Sequence, residues 1–210
     1  VDYARAPHFD ALVAGIDARL GDGRGLERYG NHHRAGYDIA CNWKVYVDNY
    51  LEGYHVPHIH PELNRLLDYR SYVTTTTRWH SMQFSPLESG DDLYGSGDAL
   101  YYFLYPNTML NILPGRLQTN RVLPLPNNRC RVEFDFFYTA SLGEKDDARR
   151  VRDLEFSDVV QDEDITICVD VQRGLNSGSY HAGRLNPMRE NALHHFQELL
   201  RADYRHFNSS

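Results

Sequence analysis

The pattern of apolar and polar positions divides the chain into a helical beginning, a central series of strands and a helical end. Residues 8–20 (HFDALVAGIDARL) place apolar side chains on one helical face, and four glycines between positions 21 and 30 end that pattern. Residues 41–55 predict a second helix, because large apolar side chains recur in them at spacings of three and four. Pro57 and Pro61 are expected to end this helix.

Between residues 69 and 139 the period changes to that of strands. Six runs rich in β-branched and aromatic residues are separated by turn signals such as SPLESGDD, YPN and LPLPNN. The last run alternates cleanly, with Val132, Phe134 and Phe136 on one face and charged residues on the other. Short turns between successive strands predict antiparallel pairing.

The end of the chain returns to a helical pattern. Ser141 and Glu144 form a capping box that opens a long helix over residues 143–174, and a last helix is expected near residues 187–205. Helices, then strands, then helices in one unit predict an α+β fold.

Composition narrows the class of protein. The chain of 210 residues has 41% hydrophobic and 24% charged residues and a formal net charge of −7, which is the balance of a soluble globular domain. The acidity argues against a nucleic-acid partner. The sequence has no run of 18 apolar residues, which argues against a membrane span.

The cysteines restrict the chemistry further. Cys41, Cys130 and Cys168 are odd in number and far apart, so a disulfide framework is not expected and a reduced, cytoplasmic setting is the default. No CxxC or CxH pair occurs, so these cysteines cannot build a zinc or iron–sulfur site. The chain begins at Val1 rather than at Met, which favours a fragment of a longer protein.

Potential metal ligands are concentrated in one segment, at Glu52, His55, His58 and His60. Asp48, Glu52 and His55 would share one face of the predicted helix, and Pro57 would let His60 approach from the following turn. The alternative is a solvated histidine cluster at a helix end, which the apolar neighbours of these residues disfavour, and both interpretations stay open at this point.

A third ligand is expected from the helix over residues 143–174. On a helical wheel, Asp164 falls inside the apolar stripe, whereas Asp162 falls on the opposite side. A carboxylate on a core-facing stripe is costly unless it is paired or metal-bound. Asp164 therefore either forms a buried ion pair or joins the two histidines, in a set that suits non-haem Fe(II) and O₂ chemistry.

Two motifs together resemble a known family. Residues 42–55 (NWKVYVDNYLEGYH) with His60 and Pro61, followed far downstream by residues 161–175 (QDEDITICVDVQRGL), are similar to the catalytic domain of Rieske non-haem iron oxygenases. These include ring-hydroxylating dioxygenase large subunits and their demethylase and monooxygenase relatives. The implied fold is a helix-grip, START-like domain, in which an antiparallel β-sheet curls around a long C-terminal helix.

The resemblance also implies a domain organisation. A single catalytic domain is expected over residues 1–210, with an N-terminal helix and loop in residues 1–35 and the iron-binding oxygenase domain in residues 36–206.

The resemblance assigns roles to individual residues. The family's iron ligands match His55, His60 and Asp164. Glu52 matches an acidic residue that bridges to a cluster-ligating histidine of a neighbouring subunit and assists electron transfer, and Asn49 matches an asparagine close to the iron. Fe(II) is the implied cofactor, and Glu52 and Asn49 are the implied catalytic residues.

Electron delivery requires something outside this sequence. The family's [2Fe–2S] Rieske cluster is held by two Cys-x-His-type pairs, which this chain lacks. The resemblance therefore implies a cluster on an absent domain or another chain, a reductase or ferredoxin as electron donor, and a homotrimer in the intact protein. A small-molecule substrate and O₂ complete the expected partners.

Substrate-binding candidates lie on a predicted strand. Tyr101, Phe103 and Tyr105 share one face of it, either as ordinary sheet core or as the lining of a cavity. The first motif is most similar to the choline, betaine and carnitine oxygenases of the family. Aromatic faces attract quaternary ammonium groups, so an N-methylated substrate is considered beside an aromatic acid.

The sequence thus predicts the catalytic domain of a mono- or dioxygenase that hydroxylates or demethylates a small organic molecule. One alternative is a clusterless START-like protein that binds a small ligand without redox activity. A zinc hydrolase on the same three ligands is the other alternative.

Overall fold

A single antiparallel sheet forms the framework of the molecule. The computed structural model describes residues 7–20, 25–87, 93–140 and 143–208. Its seven strands are β1 (Tyr29–Ile39), β2 (Val73–Thr76), β3 (His80–Pro86), β4 (Asp98–Leu104), β5 (Thr108–Leu113), β6 (Arg116–Leu125) and β7 (Arg129–Thr139). Their order is β1-β7-β6-β5-β4-β3-β2, and every neighbouring pair is antiparallel. The six strand runs and the antiparallel pairing that the sequence predicts are confirmed.

Strand β1 was not predicted. It pairs with β7 from Tyr29, opposite Thr139, to Ile39, opposite Cys130, and one register shift interrupts the ladder. Its sequence, YGNHHRAGYDI, has few apolar residues and two glycines, so the alternation that marks the other strands is weak. The strand crosses the boundary that we expected at residue 36.

Seven α-helices flank the sheet within the described residues. They are α1 (Phe9–Leu12), α2 (Ile16–Leu20), α3 (Trp43–Tyr50), α4 (Val56–Ile59), α5 (Pro61–Leu66), α6 (Glu144–Asn176) and α7 (Asn191–Phe207). The single helix predicted over residues 8–20 is wrong, because Gly15 adopts a φ of +86° and separates α1 from α2.

The long helix α6 packs its buried face against the sheet, together with α3 and α7. The main apolar cluster joins strand residues such as Phe103 and Phe136 to Val47 of α3, Cys168 of α6 and Phe196 of α7. This α+β arrangement of an antiparallel sheet around a long helix is the predicted fold class. Residue 143 precedes α6 without a side-chain cap, and Ser141 of the predicted capping box lies outside the described residues.

The three cysteines, far apart in the sequence, meet in this core. All three are free and buried, and the sulfur atoms of Cys41 and Cys130 lie 3.9 Å apart. None of the helices in the described residues is both long and apolar enough to cross a bilayer.

Candidate metal centre and cavity

The first histidine of the predicted site lies in a turn rather than on a helix. Helix α3 ends at Tyr50, with Leu51 as its C-cap, and His55 precedes α4. The prediction of one helix through residue 55, with Asp48, Glu52 and His55 on one face, is therefore wrong. Gly53 shows a local reason, since an added Cβ there would lie 2.6 Å from the ring of Tyr72.

The second histidine lies at the junction of two short helices. His60 follows α4 and serves as the N-cap residue of α5, and only 1% of it is exposed. The predicted ending of a helix at Pro57 is also wrong, because Pro57 lies in the first turn of α4, where the missing N–H costs nothing. The reversal of the chain brings the Nε2 atoms of His55 and His60 to 3.2 Å.

Two glutamates fix how the histidine rings are oriented. The Nδ1 of His55 lies 2.6 Å from Oε1 of Glu52, and the Nδ1 of His60 lies 2.7 Å from Oε2 of Glu163. In the neutral rings each Nδ1–H donates to a carboxylate, which leaves the lone pair of each Nε2 available to a metal. Burial lowers the pKa of His60, but the carboxylates of Asp164 and Glu163 outweigh it and hold that pKa above its ordinary value.

The third predicted ligand approaches from α6. Oδ1 of Asp164 lies 3.1 Å from Nε2 of His60 and 3.8 Å from Nε2 of His55. Asn49 on α3 donates from Nδ2 to the same Oδ1 at 2.6 Å. The structure thus brings His55, His60 and Asp164 together, with Glu52 and Asn49 in contact with them.

The donor set fits a divalent cation in both geometry and charge. Metal–imidazole bonds of about 2.1 Å place neighbouring ligand atoms about 3.0–3.4 Å apart, which matches the 3.1 and 3.2 Å contacts of His60. Three carboxylates face two histidines here. Even two protonated imidazoles beside three ionised carboxylates would leave an excess of negative charge, which a bound cation would balance.

Sequence reasoning assigned no role to Glu163. The available sign of a role was its position on the shoulder of the apolar stripe of α6, directly before Asp164 in the sequence. His58, which the sequence offered as a further ligand, is exposed. Asp48 also points elsewhere, into a groove beside Gln197 of α7.

A cavity of about 130 Å³ opens beside the metal ligands. Tyr101 of the predicted substrate-binding set lines it. Phe103 and Tyr105 are not among its lining residues in the described part of the chain. Phe103 packs edge-on against Phe196 at 5.3 Å, and the hydroxyl of Tyr105 donates to Asp203 at 2.6 Å, so both contact α7.

The cavity has an aromatic wall and a polar wall. The aromatic side includes Tyr50, Tyr72 and Tyr101, and burial raises the pKa of Tyr101 to about 12, so its hydroxyl stays neutral. The polar side is a row of side chains on β6 that the sequence did not flag, Arg116, Gln118 and Asn120.

Known proteins resemble both the sequence and this fold. Residues 26–205 match the family model described as the ring hydroxylating alpha subunit (catalytic domain). The chain is 46% identical over 173 residues to choline monooxygenase, chloroplastic, of Arabidopsis thaliana, covering 80% of this chain and 40% of the relative. It is 29% identical to the carnitine monooxygenase oxygenase subunit of Escherichia coli K12, covering 76% of this chain and 46% of that protein.

Solved structures share the fold. A crystal structure of a quaternary ammonium Rieske monooxygenase superposes with a TM-score of 0.80 at 23% identity, covering 93% of this chain and 56% of that one. Dicamba monooxygenase bound to dicamba gives a TM-score of 0.65 at 15% identity, covering 99% of this chain and 65% of that one.

The chain spans less than half the length of these two sequence relatives. Within that span, the family match covers almost all of the described sheet and helices and includes the three clustered ligands. The chain therefore belongs to the family of ring-hydroxylating alpha subunits and carries the catalytic domain of that family.

Proposed function

We propose that this chain is the catalytic domain of a non-haem iron monooxygenase that acts on a small quaternary ammonium compound. The observation that carries the proposal is the convergence of His55, His60 and Asp164, with both Nε2 atoms free to bind a metal. Two histidines and a carboxylate on one side of an ion leave positions open for O₂ and are typical of Fe(II) oxygenases. Bound Fe(II) would supply activation of O₂ with electrons from a [2Fe–2S] cluster on another domain or chain.

The protein side chains around this centre have separate tasks. Glu52 and Glu163 hold His55 and His60 in the tautomer that presents Nε2, and Asn49 orients Asp164. Glu52 lies 2.6 Å from Nδ1 of His55, and its proposed task is to connect this iron ligand to an electron donor on a neighbouring subunit. The proposal includes a homotrimer that receives electrons from a reductase or ferredoxin.

Cavity size and composition support the substrate class. A dry cavity of about 150 Å³ binds benzene, so a cavity of about 130 Å³ suits a molecule of a few heavy atoms better than a substituted aromatic acid. Tyr50, Tyr72 and Tyr101 supply aromatic surface, which attracts quaternary ammonium groups. The names of the choline and carnitine monooxygenases among the relatives point to the same class.

Iron content tests the proposed centre. The purified chain is loaded with Fe(II) without O₂, desalted and analysed for metal. We expect about one iron per chain, and no retained iron in Asp164→Ala, because a carboxylate that ligates the ion and anchors Asn49 is lost. His58→Ala is the matched control, since this exposed histidine lies between the two ligands in sequence.

The alternatives predict different outcomes. A START-like binding protein without redox activity would retain no iron in the wild-type chain. A zinc hydrolase would retain Zn(II) but would show no substrate-dependent consumption of O₂ when it is loaded with iron and supplied with electrons. Normal iron content in Asp164→Ala would remove that residue from the ligand set.

A further inference from the structure

The polar wall of the cavity is a continuous ladder of side chains on β6. Arg116, Gln118 and Asn120 alternate along the strand, are 6%, 2% and 3% exposed, and all line the cavity. A guanidinium nitrogen of Arg116 donates to Oε1 of Gln118, and Nε2 of Gln118 donates to Oδ1 of Asn120 at 2.8 Å. Each side chain thus provides a hydrogen-bond partner for the next one along the strand.

Arg116 determines how the amide groups of this ladder are oriented. A guanidinium has donors and no acceptor, so Gln118 must turn its oxygen to Arg116 and its nitrogen to Asn120. Asn120 in turn must face Gln118 with its oxygen. Its Nδ2 is left at the free end, where the described residues offer only the thioether of Met109 at 4.0 Å, a weak acceptor.

The other end of the ladder is closed. Nε of Arg116 lies 2.9 Å from Oδ2 of Asp153, which also accepts hydrogen bonds from the hydroxyls of Tyr94 and Tyr138 through its two oxygens. The charge of Arg116 is therefore neutralised inside the protein. The ladder lines the cavity with amide groups and a neutralised cation, so it does not repel a positively charged substrate.

We infer that Nδ2 of Asn120, oriented by Gln118 and Arg116, binds a hydrogen-bond-accepting oxygen of the substrate. This inference rests on the proposed function and adds to it a determinant of specificity. A buried amide donor without an oxygen acceptor costs free energy, and a hydroxyl or carboxylate oxygen on the ligand removes that cost. The substrate class is then an oxygen-bearing quaternary ammonium compound. The aromatic rings of the cavity would bind its cation, and the ladder would bind its oxygen.

Three probes separate the possible oxygens. Choline carries a hydroxyl, glycine betaine carries a carboxylate, and trimethylpropylammonium has a methyl group where choline has its hydroxyl. Calorimetric titration of the Fe(II)-loaded chain without O₂ gives the dissociation constant of each. We expect choline or glycine betaine to bind about five- to tenfold more tightly than trimethylpropylammonium, the range of one neutral hydrogen bond.

Two substitutions test the ladder independently. Asn120→Asp keeps the oxygen that Gln118 needs and replaces the Nδ2 donor by an acceptor. Gln118→Glu keeps the acceptor for Arg116 but makes Asn120 turn its nitrogen away from the cavity. Both should bring the preference for glycine betaine over trimethylpropylammonium to about one or below, because the betaine carboxylate only accepts hydrogen bonds. The hydroxyl of choline can also donate, so choline is not used for this comparison. The second variant keeps the inference testable if the first does not fold.

Asn111→Asp is the matched control for charge. Asn111 lines the same cavity on β5 and accepts from Tyr50 through Oδ1 at 2.7 Å, a bond that aspartate keeps. The added carboxylate should lower the affinity ratio of glycine betaine to trimethylpropylammonium less than either ladder variant does, because the Nδ2 donor of Asn120 is kept.

The outcomes separate the inference from the proposed function. Equal affinities in the wild-type chain, or an unchanged ratio in both ladder variants, would overturn the inference and leave the substrate class standing. If no quaternary ammonium compound binds, both the substrate class and the inference are wrong, while iron content still reports separately on the metal centre.

Discussion

Two charged clusters lie along helix α6, eleven residues or about 16 Å apart, and they differ in their balance of charge. Around Asp153, one carboxylate meets one guanidinium, and two tyrosine hydroxyls complete its hydrogen bonds. Around Asp164, three carboxylates meet two imidazoles. The first cluster is balanced by its own residues, and the second has an excess of negative charge that a bound cation would balance.

The comparison separates a structural polar cluster from a functional one. Asp153 is 2% exposed and Asp164 is partly buried, so both carboxylates are largely removed from solvent. The balance of charge is what separates their roles, because an anion in such a place needs either a fixed protein cation or an exchangeable one. Four changes test this distinction, in order of expected effect.

The largest effect is expected from Asp153→Ala. The change leaves the guanidinium of Arg116 buried without its partner, and breaking a buried pair from one side costs about 3–5 kcal/mol. Urea denaturation of the metal-free chain measures this loss. Asp164→Ala should cost about 1 kcal/mol or less in the same experiment, because it also removes repulsion among carboxylates. Similar losses in the two variants would contradict the distinction.

Metal addition should stabilise only the Asp164 cluster. Fe(II) at about 100 times its dissociation constant adds about 2.7 kcal/mol, which corresponds to a rise of about 5–10 °C in Tm for a chain of this size. Asp164→Ala should abolish the rise in an anaerobic thermal melt. Asp162→Ala, which changes an exposed carboxylate on the same helix, should retain it. A rise that survives Asp164→Ala would place the ion elsewhere.

A smaller effect is expected at the residue behind His60. Glu163→Ala removes the acceptor that holds Nδ1 of His60 at 2.7 Å, and losses of this kind weaken metal binding about 10–100-fold. Glu163→Gln keeps an acceptor and should lose less. Competition with a chelator of known affinity measures both variants. If the alanine variant binds iron as tightly as the wild type, Glu163 does not position the ligand.

The smallest effect concerns Asp48, a carboxylate that belongs to neither cluster. Burial raises its pKa from 3.8 to about 7, and its Oδ1 has no hydrogen-bond partner in the described residues. Because the folded chain disfavours the charged form, the stability contributed by this group falls as the pH rises from about 4 to about 7.

Asp48→Asn removes this ionisation. Its Tm should equal that of the wild type near pH 4 and exceed it by a margin that grows as the pH rises to about 8, as calorimetry at several pH values would show. A difference between variant and wild type that does not change with pH would contradict the role of ionisation.

The features that the sequence predicted are those carried by strong periodicity or by a long motif. Strands β2 to β7 alternate clearly between turns, and the stripe on α6 pointed to Asp164 before any contact was known. The resemblance to the oxygenase family selected His55 and His60, which the structure places together.

The remaining features depend on contacts that a sequence does not display. In the break after Tyr50, Gly53 lies so close to the ring of Tyr72, a residue 19 positions away, that no larger residue would fit there. On β6, Gln118 and Asn120 are polar residues on a buried face. An alternating pattern assigns such residues to the solvent side, because it cannot show that a cavity replaces apolar core there.

The contact between His60 and Asp164 joins positions that are 104 residues apart, and strands β2 to β7 all lie between them. A metal held by these two side chains would therefore act as a reversible cross-link that closes about half of the chain into a loop. Such a cross-link limits the conformations of the unfolded chain. The cross-link can form only after folding of the sheet has brought Asp164 of α6 next to His60, which precedes α5. Metal binding would therefore report that this part of the fold has formed.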